Sequence, residues 1–302
     1  MSLEKIYCPC CMEISRKLGK LQDSHWFAGV YLQYSLPGGY LYQCGKCWLK
    51  FRYPLQHIDT YNRFYDTEFA TEAWGTNIVR SDWKMIVNYV HDTIPKGRKV
   101  LDFGCYTGGL LRQLDEGYQK YGIEINKFAV HLAEKHSNAK VWRDVDDIPT
   151  GLLFDVIVMS DVIEHIANPE LFLVKMMSLL NKDGVLIITT GDADNFIWNI
   201  FGANWWYCFI AEHVAFISES WISYFAKKYN INILHVERFN YLKFGGGKYL
   251  LNFLLMVFYG VLPRFYLRLG KVVKKMCGRS EEFVARGIGM SDDHIFLVLS
   301  NK

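Results

Sequence analysis

The sequence predicts an α/β fold in which an open, mostly parallel sheet of seven strands carries helices on both faces. Short apolar runs alternate with amphipathic segments after residue 99, the first of these runs ends in a glycine-rich turn, and residues 154–159 are almost entirely apolar. A near-continuous apolar strand is typical of a parallel sheet that is buried on both faces. Because five of the eight cysteines precede residue 48, we expect a small cysteine-rich module ahead of this sheet.

The expected elements alternate along the chain. An amphipathic helix at 81–90 precedes the first strand, Pro169 suits the first turn of a later helix, and Ser218 suits a helix N-cap. The predicted strands are 100–103, 119–123, 140–142, 154–159, 185–190, 231–236 and 293–299. The predicted helices between them are 109–116, 127–136, 169–180 and 218–228.

Shifts in composition divide the chain into five expected parts. They are the cysteine-rich module at 1–50, an aromatic-rich bridging region at 51–95, the sheet domain at 96–241, an apolar and basic helical insert at 242–285, and the last strand at 286–302.

The net charge limits the partners. A formal charge of +3, with no basic stripe in the first 60 residues, argues against nucleic acid, because phosphate binding needs clustered cations. The first residues contain no apolar segment of the kind found in secretory signals. We therefore expect a cytoplasmic protein whose cysteines stay reduced.

The sequence contains two C-x-x-C pairs, Cys8 with Cys11 and Cys44 with Cys47. Between Cys11 and Cys44 lie 32 residues. Two such hooks on turns can place four thiolates tetrahedrally around Zn²⁺, as in a zinc ribbon. Cys10 is a spare thiol that could compete for the metal. The alternatives are reduced core cysteines with accidental spacing and a redox pair, which two hooks in one small module fit less well.

The strongest motif is the glycine-rich turn after the first strand of the sheet. Asp102 ends that strand, Gly104 and Gly108 follow in the turn, and Glu124 ends the next strand about twenty residues on. Glycines allow a close backbone approach to a ligand, and a carboxylate at this place can accept hydrogen bonds from both hydroxyls of a ribose. A phosphate-binding Walker loop is excluded, since no Gly-Lys-Ser/Thr follows the turn.

These residues resemble the class I methyltransferases that use S-adenosylmethionine (SAM) and share a Rossmann-like fold. The run Asp102-Phe-Gly-Cys-Tyr-Thr-Gly108 resembles their D-x-G-C-G-x-G loop, with Tyr106 at the middle glycine. The segment from Asp144 resembles the one that contacts the adenine amino group, and Glu164-His165 resembles the segment after the fourth strand. The resemblance implies SAM binding by Asp102, Gly104, Cys105, Gly108, Glu124, Asp144, Val145 and Ser160.

A zinc module ahead of this pattern resembles bacterial methyltransferases of sugar, polysaccharide and secondary-metabolite pathways. The resemblance implies transfer of a methyl group to oxygen or carbon of a small-molecule acceptor, with a sugar or glycan intermediate favoured. It also places a lid over SAM and substrate in the bridging region, for which plain packing between domains is the alternative. A zinc-module methyltransferase of ribosomal RNA and a non-catalytic scaffold with the SAM fold remain as rivals.

Two histidines are candidates for a general base. His213 follows the aromatic run Trp205-Trp206-Tyr207, which could itself stack on a planar substrate or simply pack. His165 lies four residues after Asp161, so the two would share one face of a helical turn. A histidine near its ordinary pKa can remove a proton at neutral pH, and we rank His213 ahead of His165. Structural roles, in hydrogen bonding or helix anchoring, are the alternative for both.

An apolar run followed by cations occupies residues 249–275. It is too short to span a bilayer comfortably, but it could lie in a membrane interface as a peripheral contact. A helical insert packed on the catalytic domain is the alternative.

Overall fold

The computed structural model describes residues 5–27, 30–56, 80–241 and 292–302, with isolated helical positions between 254 and 270. Much of the predicted bridging region and most of the predicted insert therefore lie outside the described residues, as does most of the proposed membrane contact at 249–275. None of the helices in the described part of the chain combines the length and apolar character needed to cross a bilayer.

The N-terminal part consists of five short strands. They are β1 (Ser15–Lys20), β2 (Ser24–Phe27), β3 (Val30–Leu36), β4 (Tyr40–Cys44) and β5 (Lys50–Tyr53). Strands β2 and β3 form a hairpin of their own, whereas β4 lies between β1 and β5 in a second, antiparallel sheet.

The remaining strands are longer on average and mostly belong to one sheet. They are β6 (Lys99–Phe103), β7 (Gln119–Ile123), β8 (Lys140–Trp142), β9 (Phe154–Ser160), β10 (Leu180–Gly191), β11 (Ala215–Phe216), β12 (Ile231–Phe239) and β13 (His294–Asn301). All except β11 form a seven-stranded sheet in the order β12-β13-β10-β9-β6-β7-β8. Only β13 runs antiparallel to its neighbours, so the predicted open, mostly parallel sheet is confirmed.

Between residues 80 and 241 the structure has five α-helices. They are α1 (Ser81–Thr93), α2 (Lys127–Ser137), α3 (Pro169–Ser178), α4 (Phe196–Phe201) and α5 (Glu219–Tyr229). The predicted cap at Ser218 is present, because its hydroxyl accepts the Trp221 backbone N–H. Asn side chains cap α2, α3 and α4 in the same way, satisfying backbone donors that a helix start leaves without partners.

Alternate residues of the central strands enter two different cores. On one face Val100 and Val156 pack with Ile86 of α1. On the other face Leu101 and Ile157 pack with residues of α3 and α5. Helices therefore lie on both faces of the sheet, as predicted.

One predicted helix is wrong. In place of a helix at 109–116 the structure has a single 3₁₀ turn, Leu111–Gln113. Only six residues separate Gly108 from the turn that begins at Asp115, and α1 fills the space beside the glycines. A Cβ on Gly109 would lie 2.5 Å from Cη2 of Trp83. The glycine-rich turn therefore does not lead into a regular helix.

The N-terminal sheet is joined to a distant part of the chain. Strand β11 pairs with β5, with Ala215 opposite Phe51. The buried Arg52 donates from its guanidinium to the carbonyls of Gly38, Cys208, Ile210 and His213. Cys8, Cys44 and Leu49 belong to the same apolar core as the central sheet. The cysteine-rich part therefore packs against the domain that contains the central sheet.

Candidate cofactor site, acid-base cluster and metal centre

The loop between β6 and the 3₁₀ turn has the geometry that its glycines suggest. Gly104 and Gly108 have φ of 76° and 78°, values that side chains with a Cβ rarely adopt. A Cβ on Gly104 would lie 2.8 Å from Val162 Cγ2. Tyr106, at the place of the middle glycine, also has a positive φ of 47°. The loop therefore keeps a left-handed turn where the resemblance led us to expect glycine.

Glu124 closes this loop from the neighbouring strand. One of its carboxylate oxygens accepts the backbone N–H of Tyr106 at 2.8 Å, and the other accepts that of Asn126 at 2.8 Å. Burial raises the pKa of Glu124 despite these two donors. Each oxygen keeps a further lone pair, so the carboxylate can still accept hydrogen bonds from a ligand.

Asp102 lies beside Glu124 at the carboxyl end of β6. Burial, followed by the nearby Glu124, raises the pKa of Asp102 to about 8. Two buried carboxyl groups thus stand at the edge where β6 and β7 end. The edge combines hydrogen-bond acceptors with a strained, glycine-rich backbone, which is a suitable arrangement for a polar ligand.

The other predicted cofactor residues lie at ends of the same sheet. Cys105 is buried and packs under Gly122, where a Cβ would meet its sulfur at 2.6 Å. Asp144 follows β8, is exposed, and caps a 3₁₀ turn that starts at the half-buried Val145. Because carboxyl ends of parallel strands meet at one edge, these residues share the edge with the glycine loop.

Ser160, at the end of β9, belongs to a polar group that the sequence analysis missed. Its hydroxyl donates to the carboxylate of Asp82 at 2.6 Å. Arg80 donates to Asp82 at 2.8 Å and to Asp161 at 2.5 Å, and also reaches the hydroxyl of Tyr241 at 2.8 Å. The sequence contained a signal for this group. Asp82 lies on the same buried face of α1 as Ile86 and Val90, a face on which apolar side chains are expected.

A second missed group surrounds Glu164, which is fully buried after β9. Tyr207 donates its hydroxyl to one carboxylate oxygen at 2.5 Å, and Thr190 donates to the other at 3.0 Å. Burial, followed by the nearby Asp161, raises the pKa of Glu164 to about 7. This part of the site is held together by internal hydrogen bonds.

The two candidate histidines lie against each other beside Glu164. Their ring centroids are 4.9 Å apart, with the planes nearly perpendicular. Burial lowers the pKa of both histidines, and for His213 the neighbouring His165 and Arg52 lower it further. Both imidazoles are therefore neutral at pH 7, the form that can accept a proton.

Burial distinguishes the two rings. His213 is buried, and its Nδ1 lies 3.2 Å from the carbonyl oxygen of Tyr207. His165 is half-buried and hydrogen-bonds the Glu212 backbone. Glu164, His165 and His213 could form a metal site, since one potential ligand atom from each lies within 4.8 Å of the others. However, both carboxylate oxygens of Glu164 already accept hydrogen bonds from the protein.

Trp205 and Tyr207 are 3% exposed, and their rings pack against Trp198. They form part of the core, and they are not an open stacking surface. Trp206 is half-buried, and its indole N–H donates to Asp293 at 3.3 Å. The packing alternative therefore describes most of this aromatic run.

The four predicted metal ligands come together at the N-terminal sheet. The sulfur of Cys8 lies 3.5 Å from that of Cys47, and the sulfur of Cys11 lies 3.4 Å from Cys44 and 3.7 Å from Cys47. Four thiolates at 2.3 Å from a tetrahedral Zn²⁺ stand about 3.8 Å apart. The cluster therefore fits zinc after a small expansion. Cys10 lies outside the group of four.

The two hooks also have the same local structure. In each hook the first cysteine donates its backbone N–H to the carbonyl five residues later, Cys8 to Glu13 and Cys44 to Leu49. Backbone N–H groups within each hook point at the first sulfur. The residue after each hook, Met12 or Trp48, has a positive φ of 58° or 62°. Amide donors directed at a sulfur favour its thiolate form, which is the form that binds metal.

Solved structures resemble the chain at modest similarity. A magnesium protoporphyrin IX methyltransferase from Synechocystis PCC 6803, solved with bound S-adenosylhomocysteine (SAH), matches 60% of this chain and 92% of its own with a TM-score of 0.48 and 17% identity. A coclaurine N-methyltransferase bound to N-methylheliamine and SAH matches 72% of each chain with a TM-score of 0.46 and 19% identity.

Curated relatives share about a third of the chain. A (S)-tetrahydroprotoberberine N-methyltransferase of Eschscholzia californica is 28% identical over 105 residues, which are 32% of this chain and 30% of the relative. A ubiquinone biosynthesis O-methyltransferase of Glaesserella parasuis serovar 5 is 32% identical over 108 residues, which are 31% of this chain and 45% of the relative. The chain thus spans less than half the length of these two relatives.

The family described as a methyltransferase domain matches residues 77–236, which include the glycine loop, Glu124 and both candidate histidines. This match covers more than half of the 302 residues. The chain belongs to the methyltransferase domain family.

Proposed function

We propose that the protein is a SAM-dependent methyltransferase that transfers a methyl group to oxygen or carbon of a small-molecule acceptor. The observation that carries this proposal is the position of Glu124, whose carboxylate fixes the glycine loop and ends the strand next to Asp102. The family match supports the reaction class. The relatives, which include O- and N-methyltransferases, support a small-molecule acceptor.

The cofactor would lie across the carboxyl ends of β6 to β9. SAM supplies an activated methyl group on a sulfonium sulfur. Glu124 would accept hydrogen bonds from the ribose hydroxyls. Asp144 and Val145 would flank the adenine. The backbone at Gly104, Cys105 and Gly108 would pass close to the amino-acid part of SAM. Asp102 and Ser160 would hold polar atoms at that same edge. Binding in a fixed geometry accounts for most of the rate in such transfers, because the donor is already reactive.

The acceptor side would be formed by the polar residues at the ends of β9 and β10, here named the acid-base cluster: Arg80, Asp82, Asp161, Glu164, His165, Tyr207 and His213. We propose that His165, the half-buried residue of the histidine pair, removes the proton from the acceptor, and that His213 positions His165 through the contact between their rings. This order differs from the sequence-based ranking, because the ring of His213 is buried and faces the Tyr207 carbonyl. His213 as the base itself is the second candidate.

A sugar or glycan intermediate remains the proposed acceptor class. It is supported by the resemblance of a zinc module followed by a methyltransferase domain to enzymes of those pathways. Oxygen is the favoured acceptor atom, since a neutral histidine can assist deprotonation of a hydroxyl.

We also propose that Cys8, Cys11, Cys44 and Cys47 bind one structural Zn²⁺. The sulfur separations and the amide donors on the hooks support it. With four protein ligands the ion would have no open position for substrate, so its role would be to hold β4 and β5 in place.

Cofactor binding tests the proposal directly. Calorimetry should detect SAM binding to the wild type, and Glu124→Ala should weaken it roughly ten- to a hundredfold, because a charge-assisted hydrogen bond contributes about 1.5–3 kcal/mol. Glu134→Ala, which removes an exposed carboxylate from α2, is the matched control and should bind like the wild type. Equal affinity in all three proteins would refute the assignment of this strand end.

The base can be tested once a screen with methyl-labelled SAM has found an acceptor. His165→Ala should lower turnover about 10²–10⁴-fold with SAM affinity within twofold of wild type. His131→Ala, an exposed ring on α2, should change neither. If His213→Ala gives the large loss and His165→Ala does not, the two histidines exchange roles. Full turnover in both variants would leave the reaction without a histidine base.

A further inference from the structure

A cavity of about 400 Å³ lies between the N-terminal sheet and the segment 198–204. On one side it is lined by alternate residues of β1, among them Arg16, Leu18 and Lys20, and by Lys50 of β5. On the other side stand α4 and the turn after it. None of the lining residues is among the candidate residues for SAM, the acceptor or zinc.

The lining of the cavity is basic, although the carboxylates of Asp194 and Asp192 act on Lys50 from outside it. Three of its lining side chains, Arg16, Lys20 and Lys50, are cationic, and none is acidic. Among the described residues no carboxylate forms an ion pair with Arg16 or Lys20. Within the described ranges, Arg16 makes one long contact of 3.5 Å to the Gln43 side chain. Like charges gathered around one cavity repel each other, and a bound anion relieves that repulsion.

Lys50 is a built part of this site. It is 3% exposed, and its ammonium donates to the Ala193 carbonyl and, at 2.7 Å, to the Asn199 side chain. An ammonium has three protons, and these two contacts use two of them. A buried cation at the base and two exposed cations nearer the surface form a path suited to an anionic group.

The rest of the lining is mixed. Gln43, Asn199 and Asn204 contribute amide groups, whereas Leu18, Ile200 and Phe201 contribute apolar side chains, and Phe201 is stacked on Trp205. A ligand that fits this lining has an apolar or aromatic body in addition to its charged group. The volume lies in the range usual for small-molecule sites, about 300–1,000 Å³.

We propose that this cavity is a second binding site, for a small molecule that carries a phosphate or carboxylate on an apolar or aromatic body. Trp198 and Tyr207, whose ring centroids are 5.6 Å apart, lie between the cavity and Glu164. The site is therefore distinct from the proposed acceptor site and does not depend on the proposed reaction.

Phenyl phosphate, benzoate and phenol are the probes, titrated by calorimetry into the full chain with and without saturating SAH. Phenyl phosphate or benzoate should bind, and neutral phenol should bind at least tenfold more weakly. The presence of SAH should not change these affinities. Preference for phenyl phosphate would identify a phosphate ligand, and preference for benzoate a carboxylate ligand.

The double variant Arg16→Gln/Lys20→Gln should weaken binding of the preferred anion by about tenfold or more. Lys17→Gln is the control, because it removes one positive charge from β1 at a residue that does not line the cavity. The affinity of this variant for the anion should stay within twofold of wild type. Absence of binding by both anions, an unchanged affinity in the double variant, an equal loss in Lys17→Gln, or displacement by SAH would each overturn the proposal. Because the probes need no turnover, failure here is separate from failure of the methyltransferase proposal.

Discussion

The thiol cluster and the acid-base cluster satisfy their polar atoms in different ways. In the acid-base cluster, the carboxylates of Glu164, Asp82 and Asp161 accept hydrogen bonds from hydroxyl and guanidinium groups of the protein. In the thiol cluster, four sulfurs face one another, and the charge balance of four thiolates can come only from a cation. The first cluster is thus organised by the protein alone, whereas the second is expected to depend on a bound ion for its stability.

The largest effect should come from removing that ion. Protein purified without added metal should contain about one zinc per chain, and a structural zinc site contributes on the order of 10–16 kcal/mol to folding of the segment that holds it. Chelation or Cys44→Ser should therefore release the metal and expose the amides of β4 and β5 to hydrogen exchange.

Cys10→Ser provides the control, since Cys10 lies in the first hook but outside the group of four. This variant should keep its zinc and its exchange protection. If Cys44→Ser retains metal, or if Cys10→Ser loses it, the ligand set is wrong.

A smaller loss is expected when one partner is removed from the internally paired cluster. Arg80→Met leaves Asp82, which has no exposed side-chain area, without its cation. Because Arg80 itself is 24% exposed, we expect about 2–3 kcal/mol of lost stability, less than for a fully buried pair. Urea unfolding measures this, and Arg80→Met/Asp82→Asn should recover part of it.

Arg98→Met is the comparison variant. It breaks an ion pair with Asp155 in which the arginine is 56% exposed, so its cost should be within about 1 kcal/mol. A loss as large as that of Arg80→Met would mean that burial of the carboxylate is not the cause.

A further effect concerns the pH dependence of stability. The pKa of Glu164 rises from an ordinary 4.5 to about 7 on folding, mainly through burial. Between these values the folded chain holds a proton that the unfolded chain has lost, so the free energy of unfolding falls as the pH increases. Burial raises the pKa of Asp102 to about 8, which extends the same trend upward.

Glu164→Gln should flatten the part of this slope between about pH 4.5 and 7, by about 3 kcal/mol over the window. Urea titrations of the cofactor-free wild type and the variant, at matched ionic strength, give the difference. Parallel slopes would show that Glu164 ionises equally in both states.

The same contrast explains what the sequence could predict. Each hook is local: two cysteines three residues apart, a turn and a left-handed residue, so spacing alone predicted that the four thiols come together. The polar cluster at Asp82 gathers residues from positions 80 to 241, and no spacing connects them before the fold is known. Asp82 was nevertheless detectable as a charge on an apolar helix face.

The sheet was predictable because its strands are apolar runs with clear boundaries, and β7 and β8 begin and end where they were predicted. The helix expected at 109–116 failed because propensity did not account for the Trp83 ring, which packs against Gly109. The sequence neighbours of His165 and His213 do not indicate which of the two is more buried, since their burial depends on packing with Tyr207 and Arg52.

The pairing of β5 with β11 has a consequence for how the protein is made. The hooks can close once residue 47 has been synthesised, but Phe51 finds its partner strand only after residue 216 is available. Contacts of such long sequence separation form slowly, because the intervening chain must first be ordered. During synthesis the edge of β5 therefore stays open until the sheet domain is nearly complete. Early metal binding would let the N-terminal hooks fold on the ribosome before β11 is available to pair with β5.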